Sequence, residues 1–271
     1  MGQRSPVLKA KKQTPQGAGK KRPAKANVTS TSKPTEGVLS PRVTARHVLH
    51  EARWTRLCVY DYVLPGHHRS APPLKWEALE RTTAHADAEY DAVEICAMLR
   101  HSQRPAKAGR RASSRRTGRG GDSWMDDEVL LVSQFRPPIR SLSLEFPAGL
   151  IDGAEKPAVA ALRELKEETG FVGSVVSVSP PASYDPGVMS SRMAFVRVNV
   201  DMSLACNQHP EQELEATEAT LVVHRVKLGQ LGRFIAQQQR EGVRVDGKVW
   251  TFAAGLDVGR AAASPKAPTV A

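Results

Sequence analysis

The chain has 271 residues, of which 40% are hydrophobic, and this is enough for one well-packed domain with additional segments. All apolar runs fall short of the ~20 residues that cross a bilayer, so we expect no membrane partner. Only three cysteines occur, widely spaced and without a CxxC pair, which argues against a disulfide framework or a zinc site. The formal net charge is +11, and its distribution along the chain decides what it means.

Residues 1–46 form the first basic segment. They contain eleven Lys/Arg and one acid, are rich in Pro, Ser, Thr and Gly, and include no aromatic residue. Such a segment buries too little apolar surface to offset its ordering entropy, so we predict a disordered basic tail. Its run KKRPAK resembles a nuclear-import patch, and a solvated tail without a receptor is the alternative. We expect a protein of the cytoplasm, the nucleus or both; a mitochondrial location is the weaker alternative, because acids are scarce in the tail but a clear Arg-rich amphipathic helix is missing.

Residues 47–90 are predicted to form a small N-terminal group of strands. Arg53–Leu64 mixes β-branched, aromatic and apolar residues in the manner of a strand. Trp76–Thr83 follows as a second strand after the turn signal Pro65-Gly66.

Residues 91–260 are predicted to form the main domain. Asp91–Leu99 reads as its first strand. Residues 100–124 are rich in Gly, Ser and Arg, with eight Lys/Arg and no acid between 100 and 119, so we predict a flexible basic loop inserted in a hairpin. The strand Glu128–Phe135 then resumes the sheet.

Further strands and helices complete the main domain. The remaining strand candidates are SLEFPAG, VVSVSPP, RMAFVRVNV and TLVVHRV, and helices are expected at LGQLGRFIAQQQREG and DGKVWTFAAGLDVGR. Residues 261–271 read as a flexible C-terminal tail. The order of elements predicts the α/β class, an α/β/α sandwich around a mixed sheet. The two basic segments together carry more positive charge than the whole chain, so the remainder of the protein is acidic overall.

The stretch Gly149–Phe171 contains a predicted helix with an unfavourable charge pattern. Pro157 near its start and Gly170 at its end are typical of a helix that they bracket. Three carboxylates at i, i+3 and i+4 project from one face within one turn, and they are Glu164, Glu167 and Glu168. They repel one another and lie in the half of the helix where the macrodipole disfavours anions. A solvated acidic face is the simple interpretation; a hard divalent cation bound there would relieve both penalties.

The spacing of this stretch decides between the two interpretations. It matches G-x5-E-x7-R-E-U-x-E-E-x-G-U, the Nudix box with U an apolar residue, at every fixed position. The matching residues are Gly149, Glu155, Arg163, Glu164, Leu165, Glu167, Glu168, Gly170 and Phe171. The chain therefore resembles the Nudix hydrolases, which cleave pyrophosphate bonds with divalent metal ions.

The resemblance implies a role for each box residue. Metal would be held by Glu164, Glu168 and the carbonyl of Ala148, with Glu167 as a further ligand or as the base that orients water. Mg²⁺ is the expected ion and Mn²⁺ the alternative. The motif residues expected to be structural are Gly149, Glu155, Arg163 and Gly170.

Segments around the box resemble the ADP-ribose/ADP-sugar pyrophosphatase branch, eukaryotic type. These segments are WEALERTT, QFRPP, EFPAGLID and SYDPG. The resemblance implies a homodimer that exchanges N-terminal strands, with two tryptophans stacked on adenine. Trp54 and Trp76 occupy the matching positions, although a strand Trp is otherwise a core residue. Arg81 and Arg136 are candidates for contacting phosphate or sugar.

Two features depart from the pattern of this branch or leave it open. The Pro-Gly turn is followed by Val188-Met189, where the branch has a small polar pair. A glutamate on a loop before the penultimate helix helps to bind metal or activate water in the branch, and Glu218 is the nearest match here. The other acidic candidates on that loop are Glu211, Glu213 and Glu215.

The leading functional hypothesis is Mg²⁺-dependent hydrolysis of ADP-ribose to AMP and ribose 5-phosphate. Within the same class, the substrate alternatives are another nucleoside-diphosphate sugar, a dinucleoside polyphosphate or an oxidised nucleotide. A binding protein tethered to nucleic acid is the hypothesis from a different class, because the basic tail and insert favour non-specific phosphate contacts. No aromatic residue alternates with their Lys and Arg, so base readout is not expected.

Overall fold

The computed structural model describes residues 40–83, 88–101 and 123–263. The strands are β1 (Arg42–Glu51), β2 (Thr55–Val63), β3 (Leu74–Arg81), β4 (Ala92–Arg100), β5 (Glu128–Arg136), β6 (Ser141–Glu145), β7 (Ala148–Leu150), β8 (Ser174–Val178), β9 (Met193–Asp201), β10 (Val222–Lys227) and β11 (Arg244–Val245). The α-helices are α1 (Pro157–Thr169), α2 (Ala205–Gln208), α3 (Leu231–Arg240) and α4 (Gly247–Ala263). Short 3-10 helices lie at Ser123–Asp126, Pro137–Ile139, Ala216–Glu218 and Leu228–Gln230. None of the helices in these ranges has the length and apolar character needed to span a membrane.

Eight strands form one sheet, and this sheet is mixed, as predicted. In this sheet β11, β6, β5, β4, β9 and β8 are successive neighbours, while β10 also pairs with β5 and β7 with β4. The β4–β9 and β11–β6 pairs are parallel, and the others are antiparallel.

Helices cover both faces of the sheet, and alternate side chains of β4 pack against helices on opposite faces. Val93, Ile95 and Ala97 point into one apolar cluster, where α1 contributes Ala160 and Leu165. The intervening side chains face the opposite way, and Cys96 joins a second cluster with residues of α3 and α4. A strand buried on both faces reads as a nearly continuous apolar run, as β4 does. The predicted α/β/α sandwich is confirmed.

A separate antiparallel sheet is formed by β1, β2 and β3. Its first strand begins at Arg42, within residues 1–46 that composition assigned to the disordered tail. The tail therefore ends earlier than predicted. Strand β1 is held by pairing with β2, from Arg42 opposite Val63 to Glu51 opposite Arg56. Composition does not reveal such pairing. The nuclear-import patch and the rest of the predicted tail, residues 1–39, lie outside the described residues.

The boundaries of the basic insert and of the C-terminal tail also differ from the prediction by a few residues. The described structure includes Arg100 as the end of β4 and Ser123–Asp126 as a 3-10 helix, so only residues 102–122 of the predicted insert lie outside the described ranges. Helix α4 continues to Ala263, past the expected start of the C-terminal tail, of which residues 264–271 lie outside the description. Element ends are the least certain part of any sequence interpretation.

The small sheet is attached to the main domain through β3. The N–H of Leu79 donates to the carbonyl of Val188 at 2.7 Å, and the N–H of Ser190 donates to the carbonyl of Leu79 at 3.2 Å. The indole Nε1 of Trp76 donates to the carbonyl of Gly187 at 2.9 Å. The edge of β3 is therefore paired with the segment that follows the Pro-Gly turn.

A buried carboxylate links all three strands of the small sheet. Glu80 on β3 is 9% exposed, and it accepts hydrogen bonds from Arg46 Nε on β1, at 2.6 Å, and from the Tyr60 hydroxyl on β2. The hydrogen bonds from Arg46 outweigh burial and lower the pKa of Glu80 from 4.5 to about 2. Burial and the adjacent Glu80 raise the pKa of Tyr60 to about 12. The charged form of Glu80 therefore stabilises the fold.

Substituting Glu80→Gln should lower the free energy of unfolding at pH 7 by about 1.5–3 kcal/mol, the usual contribution of hydrogen bonds to a charged group. Because the folded-state pKa of Glu80 is depressed, this stabilisation is present above pH 4.5 and is lost as the pH falls towards 2. Denaturant unfolding of both proteins from pH 7 to pH 2.5 should show the difference shrinking in acid. Glu77→Gln, on the exposed side of the same strand, is the matched control. A difference that stays constant with pH would contradict the role of the charge.

Candidate active site

The helix α1 carries its glutamates on two different sides. Glu164 and Glu168 point inward and are 9% and 1% exposed. The side chain of Glu167 is 38% exposed. The three carboxylates therefore lie within one turn, as predicted, but only two of them are buried against the sheet.

The helix ends where the sequence predicted, at Gly170. This residue has a φ of 75°, and its N–H donates to the carbonyl of Lys166 at 2.8 Å. A Cβ at Gly170 would come within 2.4 Å of the backbone nitrogen of Glu211, so a side chain is excluded both by conformation and by contact.

Strand β7 lies directly against the buried glutamates. A Cβ on Gly149 would fall 1.8 Å from the carboxyl carbon of Glu164, so only glycine permits this approach. The N–H of Ala148 donates to Glu168 Oε2 at 3.0 Å. The backbone of β7 therefore fixes the positions of both carboxylates.

Arg163, predicted to be structural, is the centre of an ion-pair network. Its guanidinium contacts Glu155 and Glu164 at 3.0 and 2.8 Å, and it reaches Glu167 at 3.0 Å. It also donates to the carbonyl of Leu150 at 3.0 Å. The hydrogen bond from Arg163 lowers the pKa of Glu155. The network ties the loop before α1 to the helix.

The positive groups near Glu164 and Glu168 do not balance the burial and mutual repulsion of these two carboxylates. Burial raises the pKa of Glu168 to about 8 although the Ala148 N–H favours the charged form, and the charges of Glu164 and Glu218 add to the rise. Burial also raises the pKa of Glu164, against the opposing effect of Arg163. A divalent cation beside these oxygens would offset the repulsion and the cost of burial.

The donor set suits a cation that shares its coordination with water and phosphate. Within residues 40–83, 88–101 and 123–263, no three carboxylate, imidazole or thiol groups are arranged to hold a metal ion by themselves. Glu164 and Glu167 are instead turned towards Arg163. Mg²⁺ commonly takes one or two carboxylates and completes its shell with water and substrate phosphates. The residues present fit such an ion, which Glu164, Glu168 and the Ala148 carbonyl would hold.

A cleft of about 390 Å³ opens beside Glu168. Its lining brings together four residues that the sequence singled out, namely Ala148, Glu168, Arg136 and Glu218. Arg136 is held in place by two hydrogen bonds to Glu145, at 3.0 and 2.6 Å. Carboxylates and a guanidinium thus face the same space, as a metal–diphosphate group requires.

The structure separates the four acidic candidates of the loop before β10. Glu218 lines the cleft, and its carboxylate also accepts a hydrogen bond from the N–H of Glu215 at 3.1 Å, so these two residues cap the 3-10 helix Ala216–Glu218 together. Glu213 pairs with Lys166 at 2.7 Å. Glu211 contributes its backbone to the contact at Gly170. Of these four residues, Glu218 is the one that lines the cleft, so the geometry favours it as the loop glutamate that would bind metal or activate water.

The predicted adenine-binding tryptophans lie apart within one chain. Trp76 is half exposed and lines a cavity of about 440 Å³ with Tyr60, Tyr62 and Pro186. Trp54 is 56% exposed. Trp54 lies beside Thr82, whose N–H donates to the Trp54 carbonyl. Thr82 follows Trp76 by six residues, and a strand rises about 3.3 Å per residue, so the two tryptophans are roughly 20 Å apart. They do not face each other in the monomer.

Arg81 is also absent from the described lining of the cleft at Glu168. Its Nε is buried and has no hydrogen-bond partner among the described residues. Of the two arginines predicted to contact the substrate, the structure brings Arg136 alone to the buried glutamates within a single chain.

Two residues near the site were not predicted. Glu145 holds Arg136, and its only signal was its place before the F-P-A-G segment. Glu94 lies in β4 and is 1% exposed. A charged residue inside an otherwise apolar strand was the signal for Glu94, because such residues are rarely buried without a partner.

Comparison with known proteins agrees with the geometry. The NUDIX domain family model matches residues 123–246. The chain is 34% identical over 217 residues to the ADP-ribose pyrophosphatase of Saccharomyces cerevisiae, covering 79% of this chain and 82% of that protein. It is 31% identical over 215 residues to the ADP-sugar pyrophosphatase of Mus musculus, covering 79% and 86%.

A solved structure matches the architecture as well. The crystal structure of an ADP compounds hydrolase has a TM-score of 0.52 and 17% identity, covering 85% of this chain and 98% of that chain. At this identity the match shows the fold alone. Together with the box geometry and the two relatives, it leads to one conclusion: this chain belongs to the Nudix hydrolase family.

Proposed function

We propose that this protein hydrolyses the pyrophosphate bond of ADP-ribose and related ADP-sugars to AMP and a sugar phosphate. The observation that carries the proposal is the cleft in which Glu168 and Glu218 face Arg136 beside the backbone of Ala148. The names of the yeast and mouse relatives support ADP-ribose and ADP-sugars as the substrate class.

Nudix hydrolases generally use divalent metal ions, and we propose Mg²⁺ here, with Mn²⁺ as a substitute. Such an ion neutralises phosphate oxygens and lowers the pKa of a coordinated water. Glu164, Glu168 and the Ala148 carbonyl would hold it. Arg163 would keep Glu164 in position through its 2.8 Å contact.

The remaining residues of the cleft would bind and orient the reactants. Arg136 would donate to a phosphate oxygen, and its two hydrogen bonds to Glu145 fix the plane of the guanidinium in advance. Glu218 would accept a proton from the attacking water, because it lines the same cleft and the Glu215 N–H holds its carboxylate in place at 3.1 Å. Glu167, half exposed and bound to Arg163, is the alternative base.

The exposed tryptophans support a dimeric active site. Trp54 and Trp76 are both half exposed and lie apart in one chain, so they can enclose an adenine between them only if two copies of the chain combine. The exposed apolar side chains of β1, Val43, Val48 and Leu49, offer a surface for such a contact. We therefore propose a homodimer whose N-terminal sheets complete the binding sites.

Substituting Glu168→Gln should lower kcat by at least about 100-fold, because the substitution keeps the shape but removes the charge of a metal ligand. The melting temperature should stay the same or rise, since the amide avoids the cost that burial imposes on the carboxylate, whether the carboxylate stays charged or takes up a proton on folding. The measurements are AMP release from ADP-ribose at saturating Mg²⁺ and thermal unfolding without metal. Glu241→Gln, at the exposed end of α3, should leave both unchanged. Near-normal turnover by the Glu168 variant would refute the ligand assignment.

Substituting Trp76→Ala should raise KM for ADP-ribose about 10-fold with little change in kcat, since stacking on a base contributes ~1–3 kcal/mol. Trp250→Ala, a half-exposed tryptophan on α4, is the matched control. An unchanged KM for the Trp76 variant would show that its ring is structural only.

The proposed dimer can be tested by mixing Trp54→Ala with Trp76→Ala after mild dissociation and reassociation. If each site uses one tryptophan from each copy, a mixed dimer contains one site with both rings intact. High-affinity turnover should then return in the mixture although neither variant shows it alone. Recovery would not occur if each site used both tryptophans of its own chain, or if the protein were monomeric.

A further inference from the structure

Strand β4 carries a buried carboxylate that the proposed reaction does not use, that of Glu94. Its neighbours Val93 and Ile95 point into the apolar cluster of α1, so Glu94 faces the other way. The carboxylate is 1% exposed, and neither of its oxygens accepts a hydrogen bond of normal geometry from any described residue. An unsatisfied buried acceptor is costly, and more so when it is charged. A ligand that donates hydrogen bonds to Glu94 would explain why an otherwise apolar stretch of strand contains it.

The ammonium group of Lys248 lies beside Glu94, but a second carboxylate shares it. Lys248 Nζ is 3.4 Å from Glu94 Oε1 and 2.9 Å from Asp246 Oδ2. The same ammonium lies 4.6 Å from the centre of the Tyr184 ring. Burial raises the pKa of Glu94, and the charge of Lys248 only partly opposes the rise. The ammonium is therefore closer to Asp246, and the carboxylate of Glu94 still lacks a hydrogen-bond donor.

Glu94 lines a cavity of about 800 Å³. Protein pockets for small molecules commonly have volumes of about 300–1,000 Å³, with mostly apolar walls and a few polar groups. The walls of this cavity are aromatic, since Phe146 contacts Phe195 and Phe252 edge to face, with ring centres 6.0 and 5.4 Å apart. Rings packed in this way form a rigid apolar surface. The cavity therefore has the size and the walls of a small-molecule site.

The charged residues of the lining favour a positively charged ligand. Three of them are the acids Glu94, Asp185 and Asp246, and one is the cation Lys248. This excess of negative charge repels phosphates and other anions. Aromatic rings strengthen the preference, because the face of a ring attracts a cation. The class of ligand that suits both features is a small organic cation, in which an ammonium, amidinium or guanidinium group is attached to an apolar body.

A metal ion suits this cavity less well than an organic cation. Among the residues that the structure describes, no three carboxylate, imidazole or thiol groups are arranged to hold a metal ion. Mg²⁺ and Ca²⁺ take several oxygen ligands, whereas much of this cavity is walled by aromatic carbon. An amidinium or guanidinium group needs a single carboxylate, to which it donates two parallel hydrogen bonds. Glu94 provides such a carboxylate.

The cavity is separate from the cleft at Glu168. The residues that line the two spaces differ throughout. Phe146 lines the cavity, and Ala148, two residues further along the chain, lines the cleft. A ligand of the cavity would therefore bind in addition to a substrate of the cleft and would not replace it.

We propose that this cavity is a second ligand site, which binds a small organic cation with an apolar body. Glu94 would accept hydrogen bonds from the cationic group, and the rings of Phe146, Phe195 and Phe252 would pack against the body. Lys248 would stay with Asp246, its closer partner. Such a ligand would not be the substrate, so the site goes beyond the proposed function and is independent of it.

The probe is benzamidine, and its neutral counterpart is benzamide, which has the same ring and nearly the same shape. Titration calorimetry with the full chain should show that benzamidine binds at least about 10-fold more tightly, because charged groups form the stronger hydrogen bonds. Glu94→Gln should weaken benzamidine binding at least about 10-fold and leave benzamide binding unchanged. Glu241→Gln, at an exposed position, is the matched control and should bind both compounds as the wild type does.

Asp246→Asn is an independent variant if Glu94→Gln does not fold. It should also weaken benzamidine binding, because Lys248 loses its closer carboxylate partner and would turn to Glu94. Asp246 Oδ1 accepts a hydrogen bond from the N–H of Lys248 at 2.7 Å, and an asparagine can keep this bond, so the start of α4 should be preserved.

A competition measurement tests whether the cavity is distinct from the substrate cleft. Saturating AMP should leave the Kd of benzamidine unchanged. Three outcomes would overturn the proposal. They are wild-type protein that binds benzamidine no better than benzamide, wild-type affinity for benzamidine in the folded variants, and a Kd of benzamidine that rises in proportion to added AMP, which would place the probe in the cleft.

Discussion

The burial of Glu164 and Glu168 between α1 and β7 is the constraint on which the rest of the site depends. Charged carboxylates in such a position are costly, because burial disfavours the ionised form and the two groups repel each other. The fold meets this cost with Arg163 on one side and the Ala148 N–H on the other. Gly149 allows the close approach of the strand. The remaining deficit of positive charge is where a divalent ion and a diphosphate would fit.

Three charged clusters among the described residues differ in how completely their hydrogen bonds are satisfied. Glu80 accepts bonds from Arg46 and Tyr60, so its charge stabilises the small sheet. The box glutamates are only partly satisfied, in the region where we propose metal binding. Glu94 accepts no hydrogen bond of normal geometry from the described residues, although Lys248 Nζ lies 3.4 Å from its Oε1. Incomplete satisfaction of a buried group thus points to the places where a ligand would act.

The attachment of the small sheet places the proposed adenine-binding ring of Trp76 beside the Pro-Gly turn. The edge of β3 pairs with residues 188–190, directly after the Pro-Gly turn, and Trp76 donates to Gly187 in the same turn. Tyr184 and Asp185, just before the turn, line the cavity of Glu94. One short segment therefore contacts the proposed adenine-binding ring and lines the cavity beside Glu94. Val188 and Met189, which depart from the branch pattern, belong to this segment.

The sequence by itself determined the family, the box helix with both of its ends, the mixed α/β fold and most of the strands, because these depend on local spacing and on apolar periodicity. Tertiary structure alone decided which glutamates are buried, that Glu218 reaches the cleft, and that β1 begins at Arg42. It also separated Trp54 from Trp76 and gathered Glu94, Tyr184 and Lys248 around one cavity. These features arise from contacts between residues that are distant in the chain, and local pattern contains no information about such contacts.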